Sequence, residues 1–192
     1  MKEATVPQYF VMSGEGLTPA ALIAEGPDLP SSPWTFGTPV DDAIHEPLLY
    51  RLDPAYPGLL QTLYHEEGVP LMRDDLVEAL HEAGVDNLQL FPAVVLDETT
   101  GTRHTNYKAF NVVGIVSCAD KNQSVLMGTT DSEMIDVDFD RLFIDESKTQ
   151  GALLFRLAEA VNAIVVHESV RKTIEERGID GIVFYGPGEW AG

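Results

Sequence analysis

The chain has 192 residues, which is enough for one domain with a sizeable buried core. Thirty-one Asp and Glu residues against twelve Lys and Arg give a formal charge of −19, which argues against binding to nucleic acid or an anionic membrane. Cys118 is the only cysteine, so no disulfide can form within the chain. Neither a secretory signal nor a stretch of about 20 apolar residues is evident, so we expect a cytoplasmic protein.

Residues 1–68 are predicted to form N-terminal strands and a proline-rich covering segment. Strands are expected at 8–13 and 47–52, which are rich in apolar and aromatic residues. The prolines crowded between them forbid a long helix or a central strand. This intervening segment is therefore expected to cover the core, held in place by Trp34 and Phe36.

Residues 69–187 are predicted to form the main core around one strand–helix–strand unit that occurs twice, at 69–92 and 163–186. When the first copy is shifted by 94 positions, its apolar positions lie on those of the second and Gly84 lies on Gly178. In each copy, apolar residues at helical spacing follow a short apolar run. The glycine suits the left-handed residue that follows the end of a helix.

Further strands are expected between and after the two copies. Residues 88–98 and 106–118 predict a hairpin, and the apolar end of its second strand predicts burial on both faces. Residues 134–146 alternate between apolar and acidic side chains, and 151–159 predict one more short strand. Residues 188–192 are expected to be a flexible tail. Together these elements predict one compact α+β domain, with a mixed or largely antiparallel sheet and a few short helices.

The sequence contains no catalytic, cofactor or metal-binding motif. The nucleophile elbow, the phosphate-binding loop and the dinucleotide fingerprint are all absent. The five histidines never fall at metal-ligand spacing. Cys118 lies in the most apolar strand, where a buried and inert thiol is expected. His167 corresponds to Arg73 in the repeat, so we interpret it as part of the frame at a helix entry.

One acidic stretch, residues 131–146, predicts a binding surface. Its candidate partner-binding residues are Glu133, Asp136, Asp138 and Asp140. Complementary charge at such a strip would speed the encounter with a basic protein surface and would select that partner. The alternative is a solvated strand face whose charges prevent aggregation through the sheet edge.

An ordered set of motifs extends over most of the chain. It includes "WTFGTP", "GVDNLQLFPAVV", a Cys-x-Asp element at Cys118, an Asp-Glu strand at Asp145, Phe-Arg-Leu at 155–157 and Gly-Ile-x-Gly from Gly178. In this order the motifs resemble the immunity protein eleven family of bacterial polymorphic-toxin systems. The resemblance implies a protein that binds and neutralises a cognate toxin encoded beside it, without catalytic residues or a cofactor. His167 departs from the family pattern, which tends to place a capping Ser there.

Two other classes of function stay open at this point. A small enzyme could assemble its site from dispersed residues such as His104, His167 and Asp120. A regulatory binding module could instead recognise an unrelated partner. The acidic composition favours an inhibitor of a basic toxin, because such an inhibitor covers a positively charged surface.

Overall fold

The computed structural model describes residues 8–14, 17–30, 32–41, 43–65, 68–127 and 137–192. In chain order its elements are β1 (Tyr9–Ser13), β2 (Ile23–Glu25), α1 (Ser32–Phe36), β3 (Leu48–Leu52), β4 (Leu63–Tyr64), β5 (Leu71–Arg73), α2 (Asp74–Glu82), β6 (Leu88–Asp97), β7 (Thr102–Val112), β8 (Ile115–Val116), β9 (Val125–Leu126), β10 (Phe139–Arg141), a 3-10 turn (Glu146–Lys148), β11 (Leu154–Leu157), β12 (Ile164–His167), α3 (Glu168–Glu176) and β13 (Val183–Tyr185).

The described strands form two larger sheets and a two-stranded ribbon. The six-stranded sheet has the order β2-β3-β6-β7-β5-β4, the five-stranded sheet has the order β13-β1-β12-β11-β8, and β9 pairs with β10. Pairing is parallel between β3 and β6 and between β8 and β11, and the other named neighbours are antiparallel. The predicted α+β class with mixed sheets and short helices is confirmed.

Both predicted strand–helix–strand units are present, as β5–α2–β6 and β12–α3–β13. In each unit a third, antiparallel strand lies between the two strands: β7 in the first unit and β1 in the second. Ala109 of β7 lies opposite Leu71 and Phe91, and Val11 of β1 lies opposite Val165 and Tyr185. The flanking residues of the two units are related by the same shift of 94 positions, so the repeat in the sequence is also a repeat in strand register.

The helices α2 and α3 lie between the two larger sheets. α2 packs on β5 and β7, α3 packs on β1 and β12, and the helices contact each other. The amphipathic stripe of each helix explains this placement, because its buried residues join apolar residues from one face of each sheet. The central core includes Phe10, Met12, Met72, Leu76, Leu80, Phe110, Ile164, Val166, Val170 and Ile174. Covering segments pack on the outer face of each sheet, with Trp34 of α1 on one side and Trp190 on the other.

The sequence predicts that the apolar run at 110–118 forms one strand buried on both faces, and this prediction is wrong. β7 ends at Val112, and β8 begins in the other sheet with Ile115 43% exposed. Between them Gly114 has a φ of 100°, a conformation that glycine adopts without a steric penalty. Its N–H donates to the Gly37 carbonyl at 2.7 Å. Gly114 therefore redirects the chain from one sheet to the other.

Residues 188–192 are packed, whereas the sequence predicts a flexible tail. Trp190 is only 8% exposed, and its carbonyl accepts a hydrogen bond from the Leu142 N–H. Gly192 and Phe139 exchange two backbone hydrogen bonds, at 2.6 and 3.0 Å. These contacts join the end of the chain to β10, a pairing that no local sequence pattern reveals. The covering segment is held by Trp34 as expected, but Phe36 is 45% exposed and does not contribute to this anchoring.

Candidate functional site

The candidate acidic strip lies on the β9–β10 ribbon, which we define as residues 125–127 and 138–141. Asp138 and Asp140 are exposed, and Phe139 between them is fully buried. This alternation is the strand pattern predicted from the sequence. Glu133 and Asp136, the other two candidate residues, lie outside the described residues. The structure thus brings two of the four predicted carboxylates onto one exposed face.

Exposed apolar side chains accompany these carboxylates. Val125 is 37% exposed and Met127 is 48% exposed. The Met127 N–H donates to the Asp138 carbonyl at 2.9 Å, which brings this methionine beside the first carboxylate. Arg141, at the other end of β10, pairs in register with Val125. The ribbon therefore presents carboxylates, one cation and two apolar side chains together, a mixture found at protein–protein interfaces.

The ribbon is fixed to the core from below. Phe139 and Leu142 are buried with Trp190 in the apolar cluster on the outer face of the five-stranded sheet. The Val137 N–H donates to the Glu159 carbonyl at 2.7 Å, immediately before Asp138. Because the side chain of Phe139 points into this cluster, the adjacent carboxylates of Asp138 and Asp140 are held on the opposite, outward face.

A second group of acidic side chains lies in the loops on either side of the ribbon. Asp120 accepts hydrogen bonds from Gln123 and Asn122, and these bonds lower the pKa of its carboxyl. Asp145 accepts from Ser147 and pairs with Lys148 Nζ at 2.9 Å, which lowers the pKa of Asp145. Both carboxylates remain ionised under ordinary conditions, and their local hydrogen bonds show that they also shape these turns.

Cys118 lies within the same region but is not a nucleophile. The side chain is fully buried, and burial together with the nearby Glu159 and Asp145 carboxylates raises the pKa of the thiol to about 12. A thiol must ionise to attack a substrate or bind a metal, and this environment disfavours the thiolate. The expectation of a buried, inert cysteine agrees with this geometry.

The sequence analysis does not identify two charged residues that are buried in the structure, Arg156 and Glu159. They are 3% and 2% exposed. Arg156 Nη1 donates to the Val161 carbonyl at 2.7 Å, and burial lowers the pKa of the guanidinium to about 10. Glu159 Oε1 accepts a 2.6 Å hydrogen bond from Ser117 Oγ. The signal that could have revealed them is their position, since they are the only charged side chains in the apolar run from 153 to 166.

A pocket of about 720 Å³ lies beneath the N-terminal covering segment. Most of its polar groups have structural roles. Gln61 Nε2 and the Tyr64 hydroxyl donate to backbone carbonyls of the 17–21 segment, at 3.2 and 3.0 Å. Ser13 Oγ lies 3.4 Å from His65 Nε2, but Ser13 is only 2% exposed. These contacts hold the covering segment in place and do not present a nucleophile to solvent.

The residues suggested for a dispersed enzyme site have separate environments. His104 lies in β7 opposite Val95, while Asp120 is bound within its own turn. His167 is the last residue of β12, and its Nδ1 accepts from the Ser169 N–H at 3.1 Å, so it caps α3. The histidine side chain thus satisfies a backbone N–H group at the first turn of the helix. None of the described contacts joins any two of these three side chains.

No group of three or more His, Cys, Asp or Glu side chains within the described ranges is arranged to hold a metal ion.

Comparison with models of known protein families finds no match, and no curated protein matches the sequence. In the part of the chain that the structure describes, no helix combines the length and apolar character needed to cross a membrane.

Proposed function

We propose that this protein binds and neutralises a bacterial toxin by stoichiometric protein–protein interaction, and that the β9–β10 ribbon is part of its binding surface. The observation that carries the proposal is the pairing of exposed Asp138 and Asp140 with exposed Val125 and Met127 on one ribbon. The motif resemblance to the immunity protein eleven family supplies the class of partner. The toxin is encoded beside the immunity gene and has a basic surface.

Charge and exposed apolar area have separate roles in this proposal. A protein of charge −19 attracts a basic partner over several ångströms, and screening limits this attraction to about 8–10 Å at physiological ionic strength. Carboxylates at the rim of an interface accelerate association more than they strengthen it. The apolar side chains of Val125 and Met127 supply area that is removed from water in the complex.

The direct test is co-expression with the C-terminal domain of the large protein encoded by the neighbouring gene. Cells that produce this domain alone should stop growing, and cells that also produce the present chain should grow. The two proteins should then copurify in equal amounts. Growth arrest that the chain leaves unchanged, with no complex in the lysate, would contradict the proposal for this partner.

A matched pair of variants separates inhibition by binding from catalytic detoxification. His167→Ala removes the side chain that the enzyme hypothesis needs, and the proposal predicts that it still copurifies with the toxin and protects cells. Asp138→Asn combined with Asp140→Asn preserves side-chain shape while removing two charges. This double variant should weaken the complex and reduce protection. Loss of protection by His167→Ala, with folding and toxin binding intact, would favour an enzyme.

A further inference from the structure

A pocket of about 630 Å³ lies beside the open edge of the five-stranded sheet. β8 is the last strand of that sheet, and the pocket is bounded by β8 with Ser117 and by the turn at 148–152. Within this turn Gln150 has a φ of 54° and Gly151 has a φ of 75°. The pocket is thus framed by a strand edge on one side and by a tightly constrained turn on the other.

Ser117 connects this pocket to a buried carboxylate. Ser117 lines the pocket, and its hydroxyl donates to Glu159 Oε1 at 2.6 Å. Glu159 is 2% exposed, and none of the described residues donates a hydrogen bond to its other oxygen, Oε2. A buried carboxylate with one oxygen lacking a donor is unfavourable, because neither water nor protein replaces the lost hydration. A ligand that brings donors would remove this deficit.

The charge around the pocket is negative despite a lysine in its wall. Lys148 is the cation among the lining residues, and its Nζ pairs with Asp145 Oδ2 at 2.9 Å. The Asp145 hydrogen bond and the nearby Asp120 and Glu159 charges together raise the pKa of Lys148. The charges of three carboxylates therefore act on one ammonium group, and one of the three, Asp145, is in direct contact with it. Since Asp145 already neutralises the lysine, Asp120 and Glu159 leave an excess of negative charge at the pocket.

We propose that this pocket receives an arginine side chain of the partner protein, with its guanidinium directed toward Ser117 and Glu159. Arginine fits this chemistry because its guanidinium carries five donors and a permanent charge, and it loses less hydration than an ammonium ion on burial. The inference rests on the proposed function, because the partner that supplies the arginine is the toxin.

Glu159 links the pocket to the acidic ribbon, because its side chain accepts from Ser117 and its backbone contacts the segment that leads into the ribbon. The backbone carbonyl of Glu159 accepts a hydrogen bond from the Val137 N–H at 2.7 Å, and Val137 directly precedes Asp138. A basic surface that covers Asp138 and Asp140 would therefore lie close enough for one of its side chains to enter the pocket. Buried arginines with a carboxylate partner often contribute much of the affinity of an interface.

The probe for this pocket is N-acetyl-arginine amide, titrated into ¹⁵N-labelled protein without any toxin. Its neutral isostere, N-acetyl-citrulline amide, is the matched control. The arginine probe should cause saturable shifts of the Val116, Ser117, Thr149 and Gly151 amide signals, and the citrulline probe should bind at least about threefold more weakly. Equal shifts with both probes, or arginine-induced shifts that avoid these residues, would overturn the proposal.

Two variants with opposite expected effects sharpen the test. Glu159→Gln removes the charge and should weaken binding of the arginine probe by about three- to tenfold. Lys148→Gln removes a repulsive charge and should strengthen it by a similar factor. The reverse pair of effects would identify an anion pocket and refute the inference. If Glu159→Gln does not fold, Ser117→Ala should weaken probe binding, and unchanged binding would refute the proposed contact.

The same titration distinguishes failure of this inference from failure of the proposed function. Glu98→Gln lies in the exposed turn after β6, in the other sheet, and should leave binding of the small probe within about twofold of the unmodified protein, since a distant exposed charge is screened. Pocket-specific binding of the arginine probe, together with no toxin binding, would contradict the immunity function alone. Toxin binding through the ribbon, together with a pocket that ignores the arginine probe, would contradict the inference alone.

Discussion

Replacing Trp190 with alanine should destabilise the protein although the residue is third from the end of the printed sequence. A tryptophan buries on the order of 200 Å² of side-chain area, which corresponds to about 5 kcal/mol at about 25 cal/mol per Å². Residual structure in the unfolded chain lowers this value by roughly 10–40%. Because Trp190 is 8% exposed and packs with Phe139 and Leu142, we expect a loss of about 3–4 kcal/mol in the free energy of unfolding.

Urea denaturation followed by far-ultraviolet circular dichroism measures this loss without relying on tryptophan fluorescence. Trp190→Phe is the matched control, since it keeps an aromatic ring in the cluster and should cost about 1 kcal/mol. The alanine variant should also shift the amide signals of Phe139 and Leu142, whose N–H groups bond to the end of the chain. A loss below about 1 kcal/mol for Trp190→Ala would refute a packed terminus, because cores lose more than this.

Other parts of the structure give three further predictions. The Arg73 guanidinium lies 2.6 Å from Asp180 and lowers the pKa of that carboxyl below its ordinary value of 3.8. The pair therefore stabilises the fold at pH values above 3.8, and this contribution is lost as the pH falls through the lower pKa of the folded state. Asp180→Asn should cost less than about 1 kcal/mol at pH 7 and should make the free energy of unfolding fall less steeply at acidic pH, and an unchanged dependence on acidic pH would contradict the role of this pair. Cys118, with its pKa raised to about 12, should react with a disulfide reagent at pH 8 only as fast as the protein opens, and rapid labelling of native protein would count against its burial. Ile174→Ala should cost about 2–5 kcal/mol in urea denaturation and Ile174→Val about 0.5–1.5, and equal costs would show that α3 does not pack as described.

The sequence predicts the local units of this fold well, because their signals are local. Apolar residues at helical spacing and the glycines Gly84 and Gly178 indicate α2 and α3, and both glycines have positive φ values as helix ends require. The pairing of strands that are distant in the sequence could not be predicted in this way. Val11 lies opposite Val165, and no short-range pattern can indicate that β1 enters between β12 and β13. The chain passes from one sheet to the other at Gly114. The apolar residues on both sides of this glycine predict one continuous strand, so the sequence does not indicate the division into two sheets.

The candidate site was predictable to the same extent. Alternation of apolar and acidic residues predicts that Asp138 and Asp140 face away from Phe139, and the structure has this arrangement. The apolar neighbours of these carboxylates were not predictable, because Met127 reaches Asp138 through pairing between strands. Glu159 was also missed, since a glutamate beside alanines in "RLAEAV" resembles an exposed position until its bond to Ser117 is seen.

Isothermal titration of the proposed toxin partner into this protein, at about 50 and 300 mM salt, tests the central claim most directly. The account predicts a one-to-one complex that weakens with salt, and a smaller salt dependence for the variant carrying Asp138→Asn and Asp140→Asn. That variant should also bind more weakly at low salt, while remaining as stable to urea as the unmodified protein. No binding, or an affinity and salt dependence that the double variant leaves unchanged, would contradict a toxin-binding role for the acidic ribbon.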